Sequence, residues 1–286
     1  MKTFLVTGAN SGIGKQTVYD LMHQNHRVLM VCRDLQKAQA ALDDIEKTSP
    51  SGHAEIHIAD LASLVEIRQL ADEIKEKYDR LDGLINNAGL FRSQKEFSVD
   101  GYELTFAVNH LAYFALTQDL LPLLLDSGTK DLPSRIVNVA SRAHRYGKLR
   151  LDTVINPRSY SGSITYGTSK LANILFTFEQ SRRLQGTSVV CNCLHPGVVR
   201  TRFASGQGGF FGAIFSLFRW GMRSPQKGAE TVTYLATSPV VEGLTGGYYK
   251  NCKQYTPSRA ARNLQLAEKL WEKSEQWVAA VLPKPL

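Results

Sequence analysis

Residues 2–24 read KTFLVTGANSGIGKQTVYDLMHQ. A short run of apolar and β-branched residues ends at Gly8, which predicts a buried strand. GKQTVYDLMHQ then carries the spacing of a helix. A strand that turns through glycines into a helix points the unpaired N–H groups of that helix beyond the strand end. Gly8, Gly12 and Gly14 give the spacing GxxxGxG, a relative of the GxGxxG turn. Such glycines allow a tight turn and close backbone approach to a pyrophosphate. Gly8, Asn10, Ser11, Gly12, Ile13 and Gly14 are therefore candidate contacts for a dinucleotide.

The alternation begun there continues along the chain. HRVLMVC predicts a second strand and residues 35–47 a second helix, HAEIHIAD a third strand, and LVEIRQLADEIKEKY an amphipathic helix with apolar Leu64, Ile67, Leu70 and Ile74. LDGLINNAG ends a fourth strand and a helix follows over roughly 99–125. SRIVNVAS is a fifth strand, residues 164–184 a helix, and TSVVCNCLHPG a sixth strand. In SPQKGAETVTYLA, Ser224 is placed as an N-cap with Pro225 in the first turn. GGYYKNC reads as a seventh strand, and the tail from Pro257 to about Val281 as mostly helical. Strands alternating with helices imply βαβ units. The expected fold class is α/β, one doubly wound domain with a mostly parallel seven-stranded sheet and helices on both faces.

The chain has 286 residues, 43% of them hydrophobic and 21% charged, as in ordinary globular proteins. Its net charge is +8, concentrated in the second half: residues 1–150 sum to −1 and residues 151–286 to +9. No nucleic-acid module accompanies the basic half, so nucleic acid is not an expected partner. Cys32, Cys191, Cys193 and Cys252 form neither a CxxC pair nor a cluster with metal-ligand spacing; reduced thiols and no metal are expected. The apolar run at residue 3 meets a glycine turn at residue 8, which predicts no signal peptide and no N-terminal anchor. No apolar run reaches spanning length. A cytoplasmic location is expected, with peripheral membrane contact open.

The strand ends carry the next candidates. After a second strand of this kind, an acidic residue would accept hydrogen bonds from an adenosine ribose. Here the strand ends VLMVCRD: Cys32 stands at the acid's place and Arg33 follows it. A guanidinium suits a 2′-phosphate. Lys37, one turn on, could assist, and Asp34 would take the ribose if the register were two residues off. NADP(H) is therefore expected in preference to NAD. Asp60, followed by Leu61, could accept the adenine amino group or cap the next helix. Asn87, Ala88 and Gly89 close the fourth strand, where open α/β sheets place ligands.

ITYGTSK, residues 164–170, stacks Tyr166 on Lys170 at i and i+4 of a helix. Taken alone, the pair suits an exposed helix face as well as it suits chemistry. An ammonium near a phenol favours the phenolate, so the expectation is a Tyr166 pKa lowered toward neutrality. His110, His144 and His195 accompany no HExxH or GxSxG motif, and structural or pocket roles are expected for them. Residues 202–223, RFASGQGGFFGAIFSLFRWGMR, are glycine-rich at the start and aromatic in the middle. Core helix, oligomer contact and interfacial helix are alternatives for this stretch, the last because Arg202, Arg219 and Arg223 flank it.

TGANSGIG, NNAG, Ser141, YGTSK and HPG in this order resemble the short-chain dehydrogenase/reductase family over nearly the full length. VCRD, VNHLAYFALT, SRIVNVASRAH, SKLANILFT, HPGVVRT and SRAARNLQLAEKLWEKS make the chain most similar to the retinol dehydrogenase group. The resemblance implies a single Rossmann domain over residues 1–286, with a substrate lid at about 201–223 and a helical tail at about 257–281. It implies a catalytic tetrad of Asn109, Ser141, Tyr166 and Lys170. Tyr166 would transfer a proton, Ser141 would hold the substrate oxygen, and Asn109 would hold a kinked helix whose backbone binds a water touching Lys170. Lys170 would also bind the nicotinamide ribose. Pro196, Gly197, Val199 and Thr201 would pass the nicotinamide. Phe210, Phe211 and Phe215 would cover a lipophilic substrate. The implied activity is NADP(H)-dependent interconversion of a lipophilic aldehyde or ketone (retinal-like) and its alcohol, by a chain forming a homodimer or homotetramer. Two alternatives are a protochlorophyllide reductase-like enzyme and a non-catalytic NADP(H)-binding regulatory module.

Overall fold

The computed structural model describes residues 1–48, 51–197 and 224–282. Seven strands run parallel: β1 Thr3–Thr7, β2 Arg27–Cys32, β3 His53–Ile58, β4 Gly83–Asn86, β5 Ser134–Val139, β6 Val189–Leu194 and β7 Tyr248–Lys250. An eighth strand, β8 Lys253–Gln254, returns antiparallel to β7, and the sheet order is β3-β2-β1-β4-β5-β6-β7-β8. The sequence predicts seven strands. The eighth has two exposed residues and no apolar pattern to reveal it; a tight turn through Asn251 (φ 53°) and Cys252 (φ 58°) produces it.

Period-two alternation gives β1 two buried faces. Phe4 and Val6 face one core, with Val18 and Leu21 of helix α1 (Gly12–His23), Leu42 and Ile45 of α2 (Leu35–Glu46), and Val232 of a later helix. Leu5 faces the other core, with Ile67, Leu70 and Ile74 of α3 (Leu64–Lys77). Consecutive helices α1 and α2 share the first face and α3 lies on the second, so helices cover both sides of a single-domain α/β sheet of Rossmann type.

The helix expected over 99–125 differs in form. Gly101 has φ 80° and sits in a turn, so the helix starts later. Glu103 caps it, its carboxylate accepting from the N–H groups of Thr105 and Phe106 at 2.9 and 2.7 Å. One α turn, α4 (Leu104–Phe106), leads into a π-helical turn at Ala107–Leu111, and α5 (Ala112–Ser127) continues it. α6 is Gly162–Arg183, and α7 is Pro225–Thr237 with Ser224 as N-cap, its hydroxyl accepting from Lys227 N. α8, Leu264–Val281, forms the helical tail.

α8 lies over α5 and α6. The Trp271 ring meets Phe114 at 5.0 Å and Phe176 at 5.9 Å, with the Arg183 guanidinium 4.3 Å above it. Trp271 is 5% exposed. Trp271→Ala is expected to destabilise the fold by about 3 kcal/mol in urea unfolding. Trp271→Phe should cost much less, because the indole N–H has no acceptor among the described residues. All four cysteines are free thiols. No helix among the described residues is long and apolar enough to cross a membrane.

Candidate functional site

Because β1, β4, β5 and β6 are parallel, the segments that follow them emerge at one sheet edge. These are the glycine turn, NNAG, Ser141 and HPG. β1 and β4 are neighbours while the chain between them runs outward through β2 and β3, so the glycine turn sits at the topological switch point.

Gly8 and Gly12 have φ 65° and 55°, where a side chain would be strained. A Cβ on Gly14 would lie 2.2 Å from the Gly8 carbonyl oxygen. The turn is thus closed upon itself, and its backbone is free to approach a ligand. Ser11 caps α1 with extended backbone and makes no side-chain cap bond. Its exposed hydroxyl and the first N–H groups of α1 face outward, as a pyrophosphate requires. Asn10 is partly buried beside it and Ile13 anchors the helix in the core.

Thr7 had no assigned role in the sequence, yet it braces this turn. Its hydroxyl accepts from Asn87 N at 2.9 Å and Ala88 N at 3.0 Å. The Asn87 amide in turn donates to Thr7 O at 2.8 Å. Behind it, Asn86, Thr117, Asn138 and Thr177 form a buried side-chain ladder across β4, β5 and their helices. Each is fully buried, so their bonds fix the strand ends from below.

At the end of β2, Cys32 is 3% exposed, and burial pushes its thiol up to about 11. A neutral thiol therefore fills the position where an acid would sit. Asp34 is committed elsewhere: it caps α2, accepting from Lys37 N at 3.0 Å, and pairs with Lys37 Nζ at 2.7 Å. Lys37 is thereby drawn to Asp34. Arg33 keeps a looser pairing, its Nη1 4.0 Å from Asp60, and is mostly exposed. Asp60 does not cap α3; Ser63 does, accepting from Glu66 N. Asp60 instead accepts from Ala62 N at 2.9 Å in a turn that exposes part of its carboxylate beside Arg33. Leu61 packs on the core beneath α3.

The structure brings Asn109, Ser141, Tyr166 and Lys170 together. Asn109 lies in the π turn, fully buried, and staples the chain after NNAG. Its Oδ1 accepts from Leu90 N at 2.7 Å, and its Nδ2 donates to Leu90 O at 2.9 Å and to Ser169 Oγ at 3.0 Å. Ser141 follows β5 and begins a short 3₁₀ turn at Arg142–Tyr146. Its hydroxyl meets the Tyr166 phenol. Tyr166 opens the first turns of α6, and the Phe91 ring stands edge-on to it at 6.1 Å. Lys170 is 3% exposed and donates from Nζ to the Val139 carbonyl at 2.8 Å.

The expected direction of the Tyr166 shift is corrected. Burial pushes the phenol up to about 12, against a smaller opposing effect of the Ser141 hydrogen bond. Burial pushes Lys170 down to about 7, so near neutral pH its charge is incomplete and desolvation outweighs attraction. Between about pH 7 and about pH 10 an unfolded chain holds the lysine proton that the folded chain has lost, and stability rises with pH there. Lys170→Met is expected to flatten that rise in denaturation curves measured from pH 7 to 10.

His110, His144 and His195 are each held by a hydrogen-bond partner. His110 Nε2 bonds Ser274 Oγ at 3.0 Å, and burial pushes its pKa down to about 3. His144 Nε2 accepts from Ser258 N, and His195 Nδ1 accepts from Arg142 N. No group of His, Cys, Asp and Glu suited to a metal occurs among the described residues. Pro196 and Gly197 (φ 92°) follow β6 at the same edge. Val199, Thr201, Phe210, Phe211 and Phe215, with the lid at about 201–223, lie outside the described residues.

Residues 2–208 match the family model for short chain dehydrogenases. The chain is 41% identical to human retinol dehydrogenase 14, over 97% of this chain and 86% of that protein. Among solved structures, an uncharacterised protein from Mycobacterium paratuberculosis is 32% identical with a TM-score of 0.78, covering 97% of this chain and 93% of that one. An NADP active-site complex of RhlG from Pseudomonas aeruginosa is 26% identical with a TM-score of 0.68, over 86% and 93%. The chain belongs to the short chain dehydrogenase family, and is an oxidoreductase of CH–OH and C=O groups.

Proposed function

We propose that the protein uses NADP(H) to interconvert a lipophilic aldehyde or ketone and its alcohol, with Tyr166 as proton donor and acceptor. The observation that carries this reading is the Ser141 hydroxyl on the Tyr166 phenol, with Lys170 buried one helical turn away. When bound, the nicotinamide supplies or accepts the hydride. Reduction leaves an alkoxide, and the protonated phenol of Tyr166 stands ready to neutralise it. Ser141 donates to the same oxygen and fixes it beside Tyr166. Lys170 and Asn109 hold the polar floor beneath Tyr166.

The turn at Gly8–Gly14 and the N-terminus of α1 suit the pyrophosphate, and Asp60 the adenine end. Arg33 favours a 2′-phosphate, since Cys32 places no carboxylate against it and Asp34 is spent on α2. That RhlG is an NADP complex accords with this choice. The Phe91 ring beside Tyr166, together with Phe210, Phe211 and Phe215 in the sequence, favours an apolar carbonyl. The name of retinol dehydrogenase 14 points the same way.

NADPH oxidation should be followed with retinal, medium-chain aldehydes, steroids and quinones. Turnover of at least one apolar carbonyl is expected; NADPH binding with no turnover of any would reject the reading. Arg33→Ala should raise KM for NADPH by about 10–100-fold, the worth of a charge-assisted bond, and leave KM for NADH nearly unchanged. Equal effects on both cofactors would remove the 2′-phosphate role.

A further inference from the structure

We propose that Tyr113 is a positioning residue for the Tyr166–Lys170 pair: its ring face favours the Lys170 ammonium, and its hydroxyl fixes the backbone that passes the cofactor. The proposal rests on the proton-transfer role given above to that pair. Tyr113 stands on α5, four residues beyond Asn109, and is 1% exposed. Two aromatic rings approach Lys170 Nζ, Tyr113 at 5.5 Å and Tyr166 at 5.8 Å to the ring centres. Both lie within the range at which a ring's negative face attracts a cation.

The remaining surroundings of Nζ are weakly polar. From β5 comes the Val139 carbonyl, and from the chain after β4 comes Gly89. The titratable groups facing it are the two phenols, and no carboxylate acts on it among the described residues. Desolvation alone therefore disfavours the ammonium. Tyr166 is itself the reacting group, which leaves the Tyr113 ring as the fixed aromatic source of attraction. Contact between a desolvated cation and a ring is stronger than on a surface.

The phenol end of Tyr113 has a second task. Its O–H donates to the Ala88 carbonyl at 2.7 Å. Ala88 N is already held by Thr7, so both polar groups of this residue are fixed, one from the end of β1 and one from α5. Tyr113 thus ties the NNAG backbone to the wall of the lysine pocket. The sequence gives no sign of this, because an apolar helix stretch with one Tyr reads as core.

The test separates ring from hydroxyl and needs no turnover. Lysine Cε NMR titration of the protein without cofactor, with the Lys170 signal identified by its loss in Lys170→Arg, should give a midpoint near the value of about 7 set by burial. Tyr113→Phe keeps the ring and should leave the midpoint unmoved. Tyr113→Met and Tyr113→Leu remove the ring and should lower it by about one pH unit. Pentafluorophenylalanine at position 113 keeps the shape but reverses the ring face; it should lower the midpoint as well if the apolar variants do not fold. A midpoint indifferent to all ring changes, or a Phe variant that shifts as far as Met, overturns the ring's role. For the hydroxyl, Tyr113→Phe should weaken NADPH binding in a fluorescence titration by about fivefold; unchanged binding overturns that half. A wild type that turns over no carbonyl would defeat the reading of function, yet leave the lysine titration standing.

Discussion

Tyr166→Phe is expected to lower kcat for carbonyl reduction by about 10²–10⁴-fold, the usual contribution of a positioned general acid. The substitution removes one oxygen and keeps the ring that packs on Phe91. The floor beneath it is made by other residues: Lys170 rests on Val139 O and Asn109 on Leu90. NADPH binding should therefore change little, and the loss should fall on kcat rather than on the cofactor KM. A Phe variant within tenfold of wild type would mean that another group delivers the proton. The phenol, pushed up to about 12 by desolvation, is protonated at neutral pH, the form that reduction uses. Oxidation of an alcohol needs the phenolate instead. The same desolvation disfavours the phenolate, the form that takes up the proton in that direction.

What could be read from the chain and what could not divide along a physical line. KTFLVTG, HRVLMVC and SRIVNVAS are apolar on both faces, so they could only be strands between two layers. The i to i+4 spacing of Tyr166 and Lys170 follows from helix geometry alone. The glycine turn, NNAG and Ser141 fall together because parallel strands share an edge. The direction of the Tyr166 shift could not be read in this way, because it depends on how much protein surrounds both groups. Spacing gives proximity, and burial decides which charge state survives it. Thr7, Ser169 and Tyr113 were equally silent, since their partners are 80, 60 and 25 residues away in the chain. A kink at Asn109 is implied by the family resemblance, but the residue pattern itself does not show the π turn. VNHLAYFALT carries an unbroken helical pattern, and its extra residue shows only through the bonds that Asn109 makes outside the helix.

Those bonds make Asn109→Leu the substitution with the largest expected cost in stability. The carboxamide satisfies the N–H and the C=O of Leu90 together, as well as the Ser169 hydroxyl oxygen. Leucine has a similar volume and no polar atom, so it strands three groups in or beside the core. Each buried polar group left without a partner costs about 1–3 kcal/mol, and the sum here is about 3–6 kcal/mol after partial access of water to Leu90. Urea unfolding checks the figure; a loss below about 1 kcal/mol would mean that the staple is not formed in solution. Activity should fall with it, because Gly89 precedes Leu90 and borders Lys170 Nζ, so slack in this segment reaches the lysine pocket. Asn109→Asp sharpens the test. A carboxylate can still accept from Leu90 N, but it offers no donor to Leu90 O and sets a negative charge in a fully buried position. Protonation removes that charge and restores one donor. Measured against wild type, the Asp variant should therefore regain part of its lost stability as pH falls below neutrality, whereas the deficit of the Leu variant stays constant. Such a difference between two variants at one position would locate the effect in the hydrogen bonds of the amide, and not in the volume of the side chain.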